Sequence, residues 1–196
     1  NPKKEKKLPT FLNYEDLEKL LNAPNLKTSD GQRDALIIEM LYSTGIRVSE
    51  LVNIKLKDIN YSEQTIIILG KGNKERYVYY GSKCKKLLEL YIKEGRKKLK
   101  ESEYLFPNKK GDHINDRIIR TIIEKNTKIA GLKIKISPHT LRHTYATHML
   151  NEGADLKSVG DLLGHENLST TQIYTHVSNE RLRNVYLNAH PRAKKR

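Results

Sequence analysis

Residues 137–150 read SPHTLRHTYATHML, and residues 151–176 continue NEGADLKSVGDLLGHENLSTTQIYTH. The punctuation of this stretch decides the fold around it. Ser137-Pro138 is a helix start, with serine as N-cap and proline at the first helical position. Leu141, Tyr145, Met149 and Leu150 are expected to pack inward. Asp155 caps a second helix, whose core face is Leu156, Val159, Leu162 and Leu163, and Gly164 stops it. Ser169-Thr170-Thr171 then caps a last short helix holding Ile173 and Tyr174. The spacing predicts a helical end to the chain with its chemistry at helix termini.

Five of the seven histidines lie in this stretch. His139 falls at the second helical position, near unpaired backbone N–H groups and the positive dipole end. Arg142 follows three residues later on the same face. Two such donors above a helix N-terminus make a cradle for a phosphate. His139 and His143 are also spaced as a metal pair. The H-E-x-x-H pattern is absent, however, and Arg142 between them would repel a cation. His143, His148 and His176 are therefore read as structural or solvent-facing. His165 is presented just past Gly164.

Upstream, Asn115 to Ala130 has a helical period. Ile118, Ile119, Ile122 and Ile123 form the apolar face, and Arg117, Arg120, Lys125 and Lys128 the charged one. That charged face either tracks a polyanion backbone or is merely solvated. Thr65–Leu69 (TIIIL) and Arg76–Tyr80 (RYVYY) read as two strands of a hairpin. The loop between them, Gly70 to Glu75, sets Lys71 between two glycines, where loop motion can move it. The full G-x-x-x-x-G-K-[ST] phosphate loop is absent. Lys83 to Lys100 reads as a lysine-rich helix with Leu87, Leu88, Tyr91 and Ile92 inward. Tyr104–Pro107 reads as a short buried extended piece.

Nearer the start, Asn13 caps a helix buried through Leu17, Leu20 and Leu21. Gln32 to Ser43 is a helix with a stripe of Leu36, Ile37, Met40 and Leu41, ended by Thr44-Gly45. Arg47 then opens a short helix, beside N–H groups that favour an anion. Glu50, three residues on, would either hold the Arg47 guanidinium in place or make a surface ion pair of little worth. The expected class is mainly α with a small antiparallel β-sheet.

The chain has 196 residues, and Lys+Arg 37 against Asp+Glu 23 gives a net charge of +14. That excess favours a polyanionic partner through counterion release. No basic amphipathic helix with a bulky aromatic face points to a membrane surface. The single cysteine, Cys84, excludes an internal disulfide. It is expected at a surface or half-buried helix position. Without a signal-type or membrane-length apolar run, a cytoplasmic setting fits best.

The segments TGIRVSEL (44–51), GKGNKER (70–76), HTLRH (139–143) and LLGHENLSTTQIYTH (162–176) resemble the catalytic domain of tyrosine recombinases, closest to the Xer branch. The likeness runs from about residue 10 to about 190. It implies that Arg47 and Arg142 bind the non-bridging oxygens of a scissile phosphate. Lys71 would be the general acid for the leaving 5′-oxygen, and His139 a general acid/base toward the tyrosine. His165 would donate a hydrogen bond to the phosphoryl group, and Tyr174 would be the nucleophile forming a 3′-phosphotyrosyl bond. Glu50 matches a supporting acidic position. Lys74, Arg76, Arg117 and Arg120 are the further DNA-contact candidates.

The resemblance also implies double-stranded DNA with a specific site as partner, and a homo- or hetero-tetramer formed through the C-terminal helix. Leu182, Val185 and Tyr186 would be the docking face of that helix; packing on its own domain is the alternative. No metal, ATP or other cofactor is required, because arginines stabilise the charge and the covalent bond conserves energy. Residues 1–10 are expected to be a basic interdomain linker, 11–180 the catalytic domain and 181–196 a C-terminal helix and basic tail. The N-terminal core-binding domain usual in the family is expected to be absent. Two other readings stay open: a type IB topoisomerase-like nicking and resealing activity, and a DNA-binding regulator without chemistry. The second draws on the likeness of Asp155 to Gly164 to a helix-turn-helix fragment. It leaves Arg47, Lys71, His139, Arg142 and His165 unexplained.

Overall fold

The computed structural model describes residues 11–164 and 176–193. The expected linker at 1–10, His165 and Tyr174 lie outside the described residues. The helices are α1 (Tyr14–Leu21), α2 (Ser29–Thr44), α3 (Val48–Val52), α4 (Ser82–Lys93), α5 (Asp116–Ile129), α6 (Pro138–Asn151), α7 (Leu156–Leu163) and α8 (His176–Ala189). The strands are β1 (Ile59–Asn60), β2 (Thr65–Leu69) and β3 (Glu75–Tyr79), paired antiparallel in the order β1-β2-β3. This is the mainly helical class with a small antiparallel sheet expected from the patterning.

Helix α2 is the central post. Its buried residues run from Gly31 through Thr44 with only Arg33 outside the set, so it is covered on all sides rather than on one stripe. Around it lies the larger core, built from α1 to α5, the sheet and Leu141 of α6. A smaller core joins Tyr79 of β3, Tyr145 and Met149 of α6, three residues of α7, and Leu182, Tyr186 and Ala189 of α8. Helix α6 thus serves both cores, and Arg142 sits between Leu141 in one and Tyr145 in the other.

The caps follow the sequence. Asn13, Asn115, Ser137 and Asp155 each accept a backbone N–H from the third residue on. Five expectations need correction. The helix expected over Lys83–Lys100 ends at Lys93 and passes into a 3₁₀ turn at Gly95–Lys98. Gly95 opens that turn in close packing on α2, where a Cβ would lie 2.9 Å from Gln32 Oε1. Cys84 is fully buried, because its face of α4 turns toward α2. Ile118, Leu150 and Leu156, expected inside, are exposed: the first two lie one position off the buried stripe of their helices, and Leu156 is the first residue of α7. The two-residue strand β1 was too short to carry a period.

Helix α8 packs on its own chain. Of the two readings left open for Leu182 and Tyr186, the structure shows the second: both are buried against α6, α7 and β3 of their own chain. The segment after it is held as well: His190 is buried, and Arg192 makes two bonds of 2.8 and 2.7 Å to the Glu39 carboxylate. No described helix is long and apolar enough to cross a membrane.

Candidate active site

Arg142 is the fixed point of the site. It is buried, and its guanidinium donates to Gly45 O at 2.7 Å and Leu163 O at 2.9 Å. Both carbonyls stand at helix C-termini, α2 and α7, where backbone acceptors lack helical partners and the dipole is negative. The arginine therefore satisfies two helix ends and is oriented by them. Gly45 makes this geometry accessible: it is left-handed at φ +69°, and a Cβ there would lie 2.7 Å from both Leu163 and Tyr145 side chains. Burial, then repulsion from Arg47, brings the Arg142 pKa down to about 10. It remains a cation at neutral pH.

Arg47 and His139 share an open cleft of about 1040 Å³ with Arg142. Arg120, Lys128 and Lys133 also line it, so its rim is basic. Arg47 is the exposed N-cap of α3. The Glu50 carboxylate accepts the Arg47 backbone N–H at 2.8 Å. Its other bonds go to the Arg76 guanidinium, from Nη2 to Oε1 at 3.0 Å and from Nη1 to Oε2. Glu50 thus holds the Arg47 backbone and the Arg76 side chain, so neither alternative for it, a hold on the Arg47 guanidinium or a surface ion pair, describes what it does. Burial alone would raise the Glu50 carboxyl, but the bonds from Arg76 and Arg47 leave it below its ordinary value.

Arg76 is likewise corrected. It was expected among the DNA contacts, but its side chain is 9% exposed and bonded to Glu50 and Leu162 O within the chain. Its alternation in β3 places it on the inner side, opposite Ile68. Lys71 and Lys74 are exposed in the hairpin loop, beyond the residues that line the cleft. Arg117 and Arg120 are exposed on α5, and only Arg120, with Asp116 3.7 Å away, reaches the cleft.

His139 is exposed at the start of α6, and its Nε2 lies 3.0 Å from His143 Nε2. One ring must donate and the other accept, so at least one is neutral. Partial burial, His139 and Arg142 together hold the His143 pKa below its ordinary value. His143 reads in the sequence as structural or solvent-facing, yet its i, i+4 spacing brings it onto His139. His148 is structural, buried between Tyr42 Oη at 2.8 Å and Leu12 O at 2.9 Å. The structure thus joins Arg47, His139 and Arg142 at one cleft and hangs the Lys71 hairpin from a bridge beside it.

The phage integrase family model matches residues 10–181. The chain belongs to the phage integrase family. It is 52% identical over 197 residues to the tyrosine recombinase XerC of Oceanobacillus iheyensis, covering 98% of this chain and 65% of that protein. The chain therefore spans about two thirds of that relative's length. The crystal structure of XerA recombinase matches with TM-score 0.73 at 34% identity, over 95% of this chain and 67% of that one. The site-specific recombinase XerH, bound to its difH substrate in a pre-cleavage complex, matches with TM-score 0.70 at 33% identity. That match covers 91% of this chain and 54% of XerH. The Xer branch suggested by the motifs is thus the branch these proteins represent.

Proposed function

We propose that this chain carries the strand-cleaving part of a site-specific DNA recombinase working through a 3′-phosphotyrosyl intermediate. The observation that carries the reading is the buried Arg142, preset by two helix ends and opening on the same cleft as Arg47 and His139. Fixed guanidinium groups stabilise the charge of a phosphorane-like transition state without reorganising. Likeness to a recombinase captured on its DNA substrate supports the same reading.

In this mechanism Tyr174 Oη attacks the scissile phosphorus, and the P–O5′ bond breaks as the new P–O bond forms. The tyrosine proton passes to a base, assigned to His139, because a free phenol has pKa about 10. Lys71 gives a proton to the leaving 5′-oxygen. Arg47 and Arg142 take the non-bridging oxygens, and His165 donates to the phosphoryl group. Resealing reverses each step with a 5′-hydroxyl from another strand. The exposed Arg117, Arg120 and Lys74 are assigned to the DNA backbone.

Exchange between two duplexes requires four cuts, so four such sites assemble on DNA. Helix α8 is the proposed connector. Because Leu182 and Tyr186 are buried in the same chain, docking on a neighbour would exchange one set of contacts for an identical set.

Nicked suicide DNA, in which the cleaved 5′-fragment diffuses away, tests the chemistry. The parent protein is expected to form a covalent adduct and Tyr174→Phe none. An adduct that persists in the variant would defeat the nucleophile assignment. Recombinant product from paired sites separates recombination from simple nicking and resealing. Truncation after Asn179 should abolish assembly on DNA; unchanged assembly would remove α8 from the connector role.

A further inference from the structure

We infer that Arg76 is a positioning residue that registers the Lys71 hairpin against the phosphate clamp. The inference rests on the recombinase reading above. Arg76 touches three separate pieces of chain. Its guanidinium grips both oxygens of Glu50 in α3, the residue that also holds the Arg47 backbone N–H. Its Nε donates to Leu162 O at 3.3 Å, the carbonyl just before the one Arg142 takes from Leu163. Its third neighbour is the base of its own hairpin. A Cβ on Gly70 would lie 3.4 Å from Arg76 Nη1 and 3.5 Å from Glu50 Oε2.

Gly70 is the residue before Lys71, and its N–H closes the loop on Lys74 O at 2.8 Å. The loop above it turns through left-handed backbone at Gly72 and Asn73. Such a loop has little of its own to hold its direction. The bridge beneath supplies it: the Glu50–Arg76 pair fixes the hairpin base to the element that presents Arg47. Arg76 and Arg142 then hold successive carbonyls at the end of α7. A charged fork with two bonds in one plane and a third at Nε sets angle as well as distance. Lysine cannot reproduce that fork.

The consequence is specific to one step. If Arg76 acts through Lys71, its loss impairs protonation of the leaving 5′-oxygen. General acid catalysis of this kind contributes roughly 10²–10⁴-fold. A bridging 5′-sulfur in the substrate departs as a thiolate, the conjugate base of a much stronger acid than an alcohol, and needs no proton donor.

The test compares Arg76→Lys and Arg76→Ala with the parent on two nicked DNA substrates, one with the ordinary 5′-oxygen and one with sulfur at that atom. DNA binding and thermal unfolding are followed beside cleavage, and Arg76→Lys serves if the alanine variant does not fold. With oxygen, both variants are expected to cleave about 100-fold more slowly. With sulfur they should come within about fivefold of the parent, with binding changed by less than about threefold, a readout that a general loss of structure would not spare. An equal deficit on both substrates, or a parallel fall in DNA binding, would overturn the positioning role. No adduct from the parent on either substrate would instead overturn the recombinase reading itself.

Discussion

Two buried glutamate–arginine bridges organise opposite sides of this molecule. Glu50–Arg76 sits beside the cleft, with side chains 5% and 9% exposed. Glu39–Arg192 sits behind α2, with side chains 1% and 12% exposed. Both are bidentate, and each carboxylate takes one further donor: the Arg47 N–H for Glu50, the Ser43 hydroxyl for Glu39. They differ in what they connect. The first joins α3, the base of the Lys71 hairpin and the end of α7. The second staples the segment after α8 to the central helix. Similar chemistry therefore ties three elements together beside the cleft in one place and closes the fold in the other.

The largest expected effect separates the two regions. Arg142→Ala should slow cleavage about 1,000-fold, in line with removing a preset charge donor, while DNA binding falls less than tenfold. Equal losses would reduce Arg142 to a plain phosphate contact. At the back of the molecule the deficit should appear in stability instead. Glu39→Ala leaves Arg192 without its main partner and should cost about 3 kcal/mol, measured by urea unfolding, with faster amide exchange over 186–193. Folded protein of this variant should still cleave within about threefold of the parent; a collapse in cleavage without a loss of stability would erase the contrast.

A smaller effect should follow acidification. His190 is buried beneath the rings of Tyr42, Tyr145 and Tyr186, donates to Tyr42 O at 3.2 Å and accepts the Arg192 N–H at 3.0 Å. Burial brings its pKa down to about 3, and burial also lowers that of His148. Both are neutral in the native state, and the unfolded chain binds their protons first. Their stabilising contribution is complete above the unfolded value near 6.5 and is lost as pH falls toward the folded one. For His190 this amounts to at most about 1.4 kcal/mol per pH unit. Unfolding free energies at pH 7 and pH 5 should show the slope, and His190→Gln should flatten it; an unchanged slope would clear His190. Glu50 adds a separate loss at lower pH, because its depressed carboxyl protonates only below its ordinary 4.5.

The smallest effect probes the seam at the cleft. Gly164 is left-handed at φ +73°, and a Cβ would lie 2.9 Å from the Arg76 side chain. Gly164→Ala should cost about 1–2 kcal/mol and slow cleavage with oxygen more than with sulfur at the leaving atom. Equal slowing on both would detach Gly164 from the hairpin.

Much of the fold was legible because local signals agreed. Asn13, Asn115, Ser137 and Asp155 announce their helices by short-range hydrogen bonds that need no tertiary context. The TIIIL and RYVYY segments declare a hairpin by side-chain type. Arg47, His139 and Arg142 were legible as candidates through motif order and helix-end placement, and the structure gathers them at one cleft. Cys84 was not, because a lysine-rich neighbourhood suggests a surface while helix phase alone decides which face turns inward. Arg76 was not either: its charge looks the same in sequence whether it faces DNA or a carboxylate 26 positions away.

The sequence by itself determined the capped starts of α1, α5, α6 and α7, the stops at Gly45 and Gly164, and which residues are candidates for phosphate chemistry. These are local properties, set by backbone sterics, capping groups and pKa. Only the tertiary structure decided that Glu50 holds Arg76 rather than the Arg47 guanidinium, that Arg142 rests on two helix ends, and that α8 returns to its own domain. Those choices depend on burial, where a charge must find partners from distant parts of the chain or lose its stability.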